Sequence, residues 1–210
     1  MSALHEKNFS KQEKTMIISI LLSAPGPIIT WSSALSSHSA TQIADSLRRT
    51  SELVAMIISW WIYRKIRSNV EVDDIYRVHL ERIANYAVVG AMLCSGLVML
   101  SVGVSRLFIS EESGNVILGL IIAFLGLLTN TWFWLRYRGL TREDFDPVID
   151  AQYKLYRGKA CVDFCVVIAL TSISIASNHP LTQYIDAFGC IIVAIYLVYN
   201  GVNMIKENYL

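Results

Sequence analysis

Ala44-Asp45-Ser46-Leu47-Arg48-Arg49-Thr50-Ser51-Glu52 runs without a break into Leu53-Val54-Ala55-Met56-Ile57-Ile58-Ser59-Trp60-Trp61-Ile62-Tyr63. Four charges therefore stand at the head of a segment that is otherwise apolar enough to cross a bilayer. A charge inside a membrane helix is costly, and its presence marks a functional position. Helical spacing puts Asp45, Arg48 and Glu52 on one face, at i, i+3 and i+7. A second charged pair, Lys159 and Asp163, opens another apolar segment at i, i+4. The rest of the chain reads as a scaffold that brings these two faces together.

The composition agrees. Of 210 residues, 54% are hydrophobic and 17% charged, with a mean hydropathy of +0.45. Soluble domains are nearer ~45–50% apolar and ~25% charged. An all-α, multi-pass membrane protein is expected, placed in the cell membrane if the source is bacterial. The net charge of +1 leaves no nucleic-acid footprint. Cys94, Cys161, Cys165 and Cys190 all lie in apolar segments without a CxxC, which speaks against a zinc ribbon or a disulfide framework. Cys161 and Cys165 share a helix face, where buried packing and a soft-metal role are both open. The first apolar run follows a Lys-bearing segment but is long, and more spans follow, so no cleavable signal is read.

About 20 apolar residues span a bilayer, and six segments qualify: 15–35, 43–63, 83–104, 116–135, 156–176 and 181–204. Pro25 and Pro27 lie inside the first, and each removes a donor, so a kink or unwound turn is expected there. Lys7, Lys11 and Lys14 precede the first span. Arg64, Lys65, Arg67, Arg77 and Arg82 follow the second. Arg136, Arg138, Arg142, Lys154 and Arg157 follow the fourth, and Lys206 follows the sixth. The alternate connections, 36–42, 105–115 and 177–180, hold one basic residue among them, Arg106. Excess Lys and Arg stay in the cytoplasm, so both termini are expected inside. Trp60, Trp61, Tyr63, Trp132 and Trp134 read as interface anchors. Gly90, Gly96, Gly103, Gly119 and Gly126 read as close-packing positions on the third and fourth spans. Residues 1–210 are expected to form one six-helix transmembrane domain without a cytoplasmic C-terminal domain. No HExxH, GxSxG or paired-His motif occurs in a span, so an enzyme is not expected, and no cofactor is implied.

Order and spacing together carry a resemblance. Residues 44–52 fit, without a gap, a second-span motif of the form A-D-A-L-H-S-L-S-D. Lys159-Ala160-Cys161-Val162-Asp163 stands in the frame of a fifth-span H-x-x-x-D. Glu81-Arg82-Ile83-Ala84, Leu127-Leu128-Thr129-Asn130, and Asp186-Ala187-Phe188 leading to Tyr199-Asn200-Gly201 take matching places in the third, fourth and sixth spans. The chain resembles the transmembrane domain of the cation diffusion facilitator family of metal/proton antiporters. The resemblance implies a homodimer and a transport site at Arg48, Glu52, Lys159 and Asp163. In that family two carboxylates and two His or Asp partners make a tetrahedral shell for zinc or a similar ion. Here two of the four positions are cationic, and Arg cannot ligate a metal. Asp73, Asp74 and His79 form a possible secondary ion site or a solvated loop. His38 and His179 fall in outer loops.

Antiparallel spans two and five would set Arg48 level with Asp163 and Glu52 level with Lys159, giving two pairs of opposite sign. Asp45 is expected to pair locally with Arg48 or Arg49, and Asp186 to cap or line an outer vestibule. Two readings follow. One is a transporter, moving a cation or small charged solute against protons, with an altered, non-zinc substrate site made by Asp45, Arg48, Glu52, Lys159 and Asp163. The other is a non-transporting membrane subunit or regulator in which these charges form a structural ion-pair lock. A dimer would have to form through membrane helices, with the Gly-bearing third span contributing.

Overall fold

Pro25 divides the first span in two. Its ring leaves no backbone donor, so it suits the first position of a helix, where the N–H needs no intrahelical partner. Helix α1 runs Ser2–Ser23 and helix α2 runs Pro25–Ser37. Between them Ala24 still donates to the Ile20 carbonyl at 2.8 Å, which closes the last turn of α1. The expected break is therefore confined to one residue, Ala24, between the two helices. The computed structural model describes residues 2–37, 40–68, 73–108, 116–175 and 180–209. Side chains near several helix ends lie outside that description, those of Asp45 and Asp186 among them.

The described residues continue as α3 (Ala40–Ser68), α4 (Asp74–Phe108), α5 (Val116–Glu143), α6 (Pro147–Ile175) and α7 (Pro180–Tyr209). Helix α4 has 35 residues, roughly 52 Å at 1.5 Å per residue, against a hydrocarbon core of ~30 Å. It overshoots at its charged start, where residues 73–79 are exposed. Four stretches among the described residues are long and apolar enough to cross a membrane: Lys11–Ser32, Asp74–Phe108, Leu120–Glu143 and Ala187–Glu207. Helices α3 and α6 fall short of that standard, and they are the two that carry the charged faces.

Helix α4 packs most closely on α7, and α5 on α6, while α3 lies against α4 and α2. The α4–α7 contact depends on missing side chains. A Cβ at Gly96 would sit 2.8 Å from Val198 Cγ2 and 3.2 Å from the Ala194 carbonyl, and one at Gly103 would sit 3.0 Å from the Ala187 carbonyl. These glycines let two backbones of the same chain meet. The expectation that the glycines of the third span serve a dimer is corrected to that extent: Gly96 and Gly103 are committed within the chain. Gly90 has open space beside it.

The turn from α5 to α6 is fixed by Asp146. Its Oδ1 accepts from the backbone N–H groups of Val148 at 2.9 Å and Ile149 at 3.4 Å, which caps α6. Pro147 supplies the first helical position, where proline is at home. Oδ2 of the same carboxylate pairs with Arg67 Nη2 on α3 at 3.3 Å. Trp61 and Trp132 are exposed as interface residues should be. Tyr63, expected to be an anchor, is instead buried, and its hydroxyl donates to Gln12 Oε1 on α1.

Candidate functional site

Arg48 and Glu52 lie one turn apart on α3, and both are 4% exposed. Arg48 Nη1 donates to Glu52 Oε1 at 3.1 Å. Ser95, buried on α4, donates its hydroxyl to the same oxygen at 3.1 Å. The other carboxylate oxygen, Oε2, faces Lys159 Nζ on α6 at 3.7 Å. Glu52 is thus shared between two bases. Lys159 also donates to Ser23 Oγ on α1 at 3.4 Å and lies over the Tyr156 ring at 4.8 Å.

Asp163 stands one turn along α6 from Lys159. Its Oδ2 accepts from Asn130 Nδ2 on α5 at 2.6 Å. Gly126 permits this approach, because a Cβ there would lie 3.3 Å from Oδ2. Arg48, Arg49 and Lys159 all act on the Asp163 carboxylate electrostatically.

The level pairing expected from the sequence is therefore half right. Glu52 and Lys159 face each other across α3 and α6. The expected Arg48–Asp163 pair is replaced: Arg48 turns along its own helix to Glu52, and Asn130 takes Asp163. Helical geometry explains the difference, since a partner four residues away on the same face needs no second helix to reach it. The side chain of Asp45 lies outside the described residues, and so do His38, His179 and the side chain of Asp186.

These groups border a cavity of about 200 Å³. Arg48, Arg49, Glu52, Asn130, Lys159 and Asp163 line it, together with the break between α1 and α2 at Ser23, Gly26 and Pro27. One turn away along the helices, toward the end of the bundle that carries the N-terminus, lies an aromatic cluster. Phe133, Tyr137 and Tyr156 are fully buried there, and the two tyrosine rings stack at 5.3 Å. Ser19 and Tyr137 share a hydrogen bond at 2.9 Å, and Ser23 and Tyr156 one at 3.3 Å. Tyr156 also donates to the Met56 sulfur at 3.1 Å.

Sequence reasoning missed Ser95, Ser23 and Tyr156. Ser95 left a trace, being the polar member of the apolar stripe Ala84, Val88, Met92, Ser95, Met99 on α4. Ser23 and Tyr156 left none, because hydroxyls at span ends are common. The donor set does not suit a metal dication. Two of the four ligand positions are bases, and among the described residues no three His, Cys, Asp or Glu side chains come together at metal-binding spacing. Asp73, Asp74 and His79 are exposed at the start of α4. Cys161 and Cys165 remain free thiols.

A helical membrane bundle with a charged cavity between its less apolar helices is an arrangement that transport proteins use. The chain matches the family described as the cation efflux transmembrane domain over residues 16–210, and it belongs to that family. A comparison with curated proteins gives no match. The chain is accordingly a multi-pass membrane protein of the cation-transporter type.

Proposed function

We propose that the protein is a six-span cation transporter in which the cavity bounded by Arg48, Glu52, Lys159 and Asp163 is the transport site. Exchange against protons is the coupling the family relation supports. Membership of the cation efflux family supplies the class. The single observation that carries the site is the cavity itself, which five charged residues from α3 and α6 share. Buried charges that only tie helices together would be packed shut. These border a space of about 200 Å³, several times the ~30 Å³ that one water occupies in the liquid. The substrate is not a bare zinc-like ion, because Arg48 is a permanent cation at a ligand position and three of the five charged residues lining the cavity are basic.

The reading as a structural lock draws on one feature, the sharing of Glu52 between Arg48 and Lys159. The two readings part on flux. The purified chain in proteoliposomes under a pH gradient should take up at least one cation from a panel of monovalent and divalent ions. Asp163→Asn should lower that uptake strongly while leaving the protein folded. Uptake equal to that of protein-free vesicles for every ion would leave the lock. A homodimer is in keeping with the family, formed through faces other than the α4–α7 seam that Gly96 and Gly103 close.

A further inference from the structure

Lys159 is a buried ammonium held at arm's length. Charge-assisted N–H···O⁻ bonds run at ~2.7–2.9 Å, yet Lys159 Nζ lies 3.7 Å from Glu52 Oε2 and 3.4 Å from Ser23 Oγ. Its remaining contact is the face of Tyr156 at 4.8 Å. An ammonium carries three donors, and here it uses one of them weakly. The niche around it therefore consists of one carboxylate oxygen, one hydroxyl and one aromatic face. Such a set suits a weakly hydrated monovalent cation, because the aromatic face attracts positive charge without ligating it. A hard dication asks for six or more oxygens, and the described residues offer no cluster of that kind.

Charge counting points the same way. Arg48 is fixed on Glu52 Oε1, and Asp163 is held by Asn130. Arg48 and Arg49 border the same cavity, so the niche of the Lys159 head lies in a site that already holds two other positive charges. Withdrawing the head leaves Glu52 Oε2 without its partner on α6. A single monovalent cation replaces the ammonium charge one for one, whereas a dication adds a further positive charge to a buried site that already holds Arg48 and Arg49. The adjoining cavity gives the four-carbon stem of Lys159 room to move aside.

We propose that the substrate is a monovalent cation that takes the place of the Lys159 ammonium, with Lys159 acting as a tethered occupant of the site between transport events. This rests on the cavity being the transport site. The test uses the full chain in proteoliposomes, with rubidium as tracer and zinc as the contrasting ion. Wild type should take up rubidium, with competitive inhibition by methylammonium, whose head copies that of lysine. Lys159→Met should lower the half-saturating rubidium concentration by roughly tenfold or more, since the competent state is no longer masked by the tethered head. Glu52→Gln should abolish the effect.

Zinc uptake that depends on Glu52 and Asp163 would overturn the monovalent assignment while the transport site stands. If no ion crosses above the level of protein-free vesicles, the transport reading falls, and the niche is then judged by binding in detergent. Rubidium should raise the Tm of Lys159→Met but not that of Lys159→Met with Glu52→Gln, and equal shifts, or none, would overturn the niche. Should Lys159→Met fail to fold, methylammonium on wild type decides, and failure to inhibit rubidium uptake overturns the proposal.

Discussion

At the scale of single residues, Glu52 is the hub. It receives Arg48 and Ser95 on one oxygen and Lys159 on the other. Removing one partner from a buried pair leaves an uncompensated charge and costs about 3–5 kcal/mol. Arg48→Asp should be worse still, since it sets a second carboxylate one turn from Glu52. The geometry then makes a specific forecast about rescue. Asp163→Arg should not restore stability to Arg48→Asp, because the two positions do not pair directly. Thermal unfolding of the two single variants and the double variant in detergent, read as a double-mutant cycle, checks this. A large recovery in the double variant would restore the level pair that sequence spacing suggested. That spacing identified which residues share the site. It could not choose between a partner on the same helix and one across the bundle, since both lie on one face and only the packed distance separates them.

At the scale of elements, two helix junctions carry the charged faces into register. Asp146 caps α6 and ties it to Arg67 on α3. Losing a cap costs about 1 kcal/mol, and here the ion pair with Arg67 goes with it. Asp146→Ala should therefore lower Tm clearly, and Asp146→Asn should lose less, since the amide oxygen keeps the cap. Equal losses would mean that the ion pair, and not the cap, dominates. Farther along α6, Lys154 pairs with Glu207 of α7 at 2.6 Å and with Asp150 at 3.1 Å. Burial pushes this ammonium down, but the two carboxylates more than offset it and hold it above the ordinary lysine value. A raised lysine stabilises fully below its unfolded pKa, near 10.4, and that stability is lost as pH rises through the folded value. The α6–α7 tie should thus be insensitive to pH from neutral to mildly alkaline, and Lys154→Met should remove an alkaline loss of Tm that wild type shows. An unchanged alkaline profile would assign that loss elsewhere. The Pro25 break was readable because proline chemistry is local. The α4–α7 seam was not, because a glycine stripe names a close approach without naming the partner. Likewise, α3 and α6 looked like spans despite their charges, since a motif frame holds them in register where hydropathy alone does not.

At the scale of the whole molecule, the alternation of basic and non-basic connections predicts six spans with both termini in the cytoplasm. That orientation would set the aromatic cluster of Phe133, Tyr137 and Tyr156 on the cytoplasmic side of the charged cavity. An impermeant thiol reagent applied from outside should label Ser37→Cys and spare Ser68→Cys, and the reverse pattern would invert the topology. The central claim is that two bases at ligand positions have turned a zinc-type site into one that no longer takes a dication. Calorimetric titration of the purified protein with zinc tests it most directly, comparing wild type with the variant Arg48→His, Lys159→His, which restores imidazoles to the motif frame. Wild type should give no saturable heat, whereas the double-His variant should gain a site that Asp163→Asn removes. A micromolar or tighter zinc site in wild type, abolished by Glu52→Ala, would contradict the account.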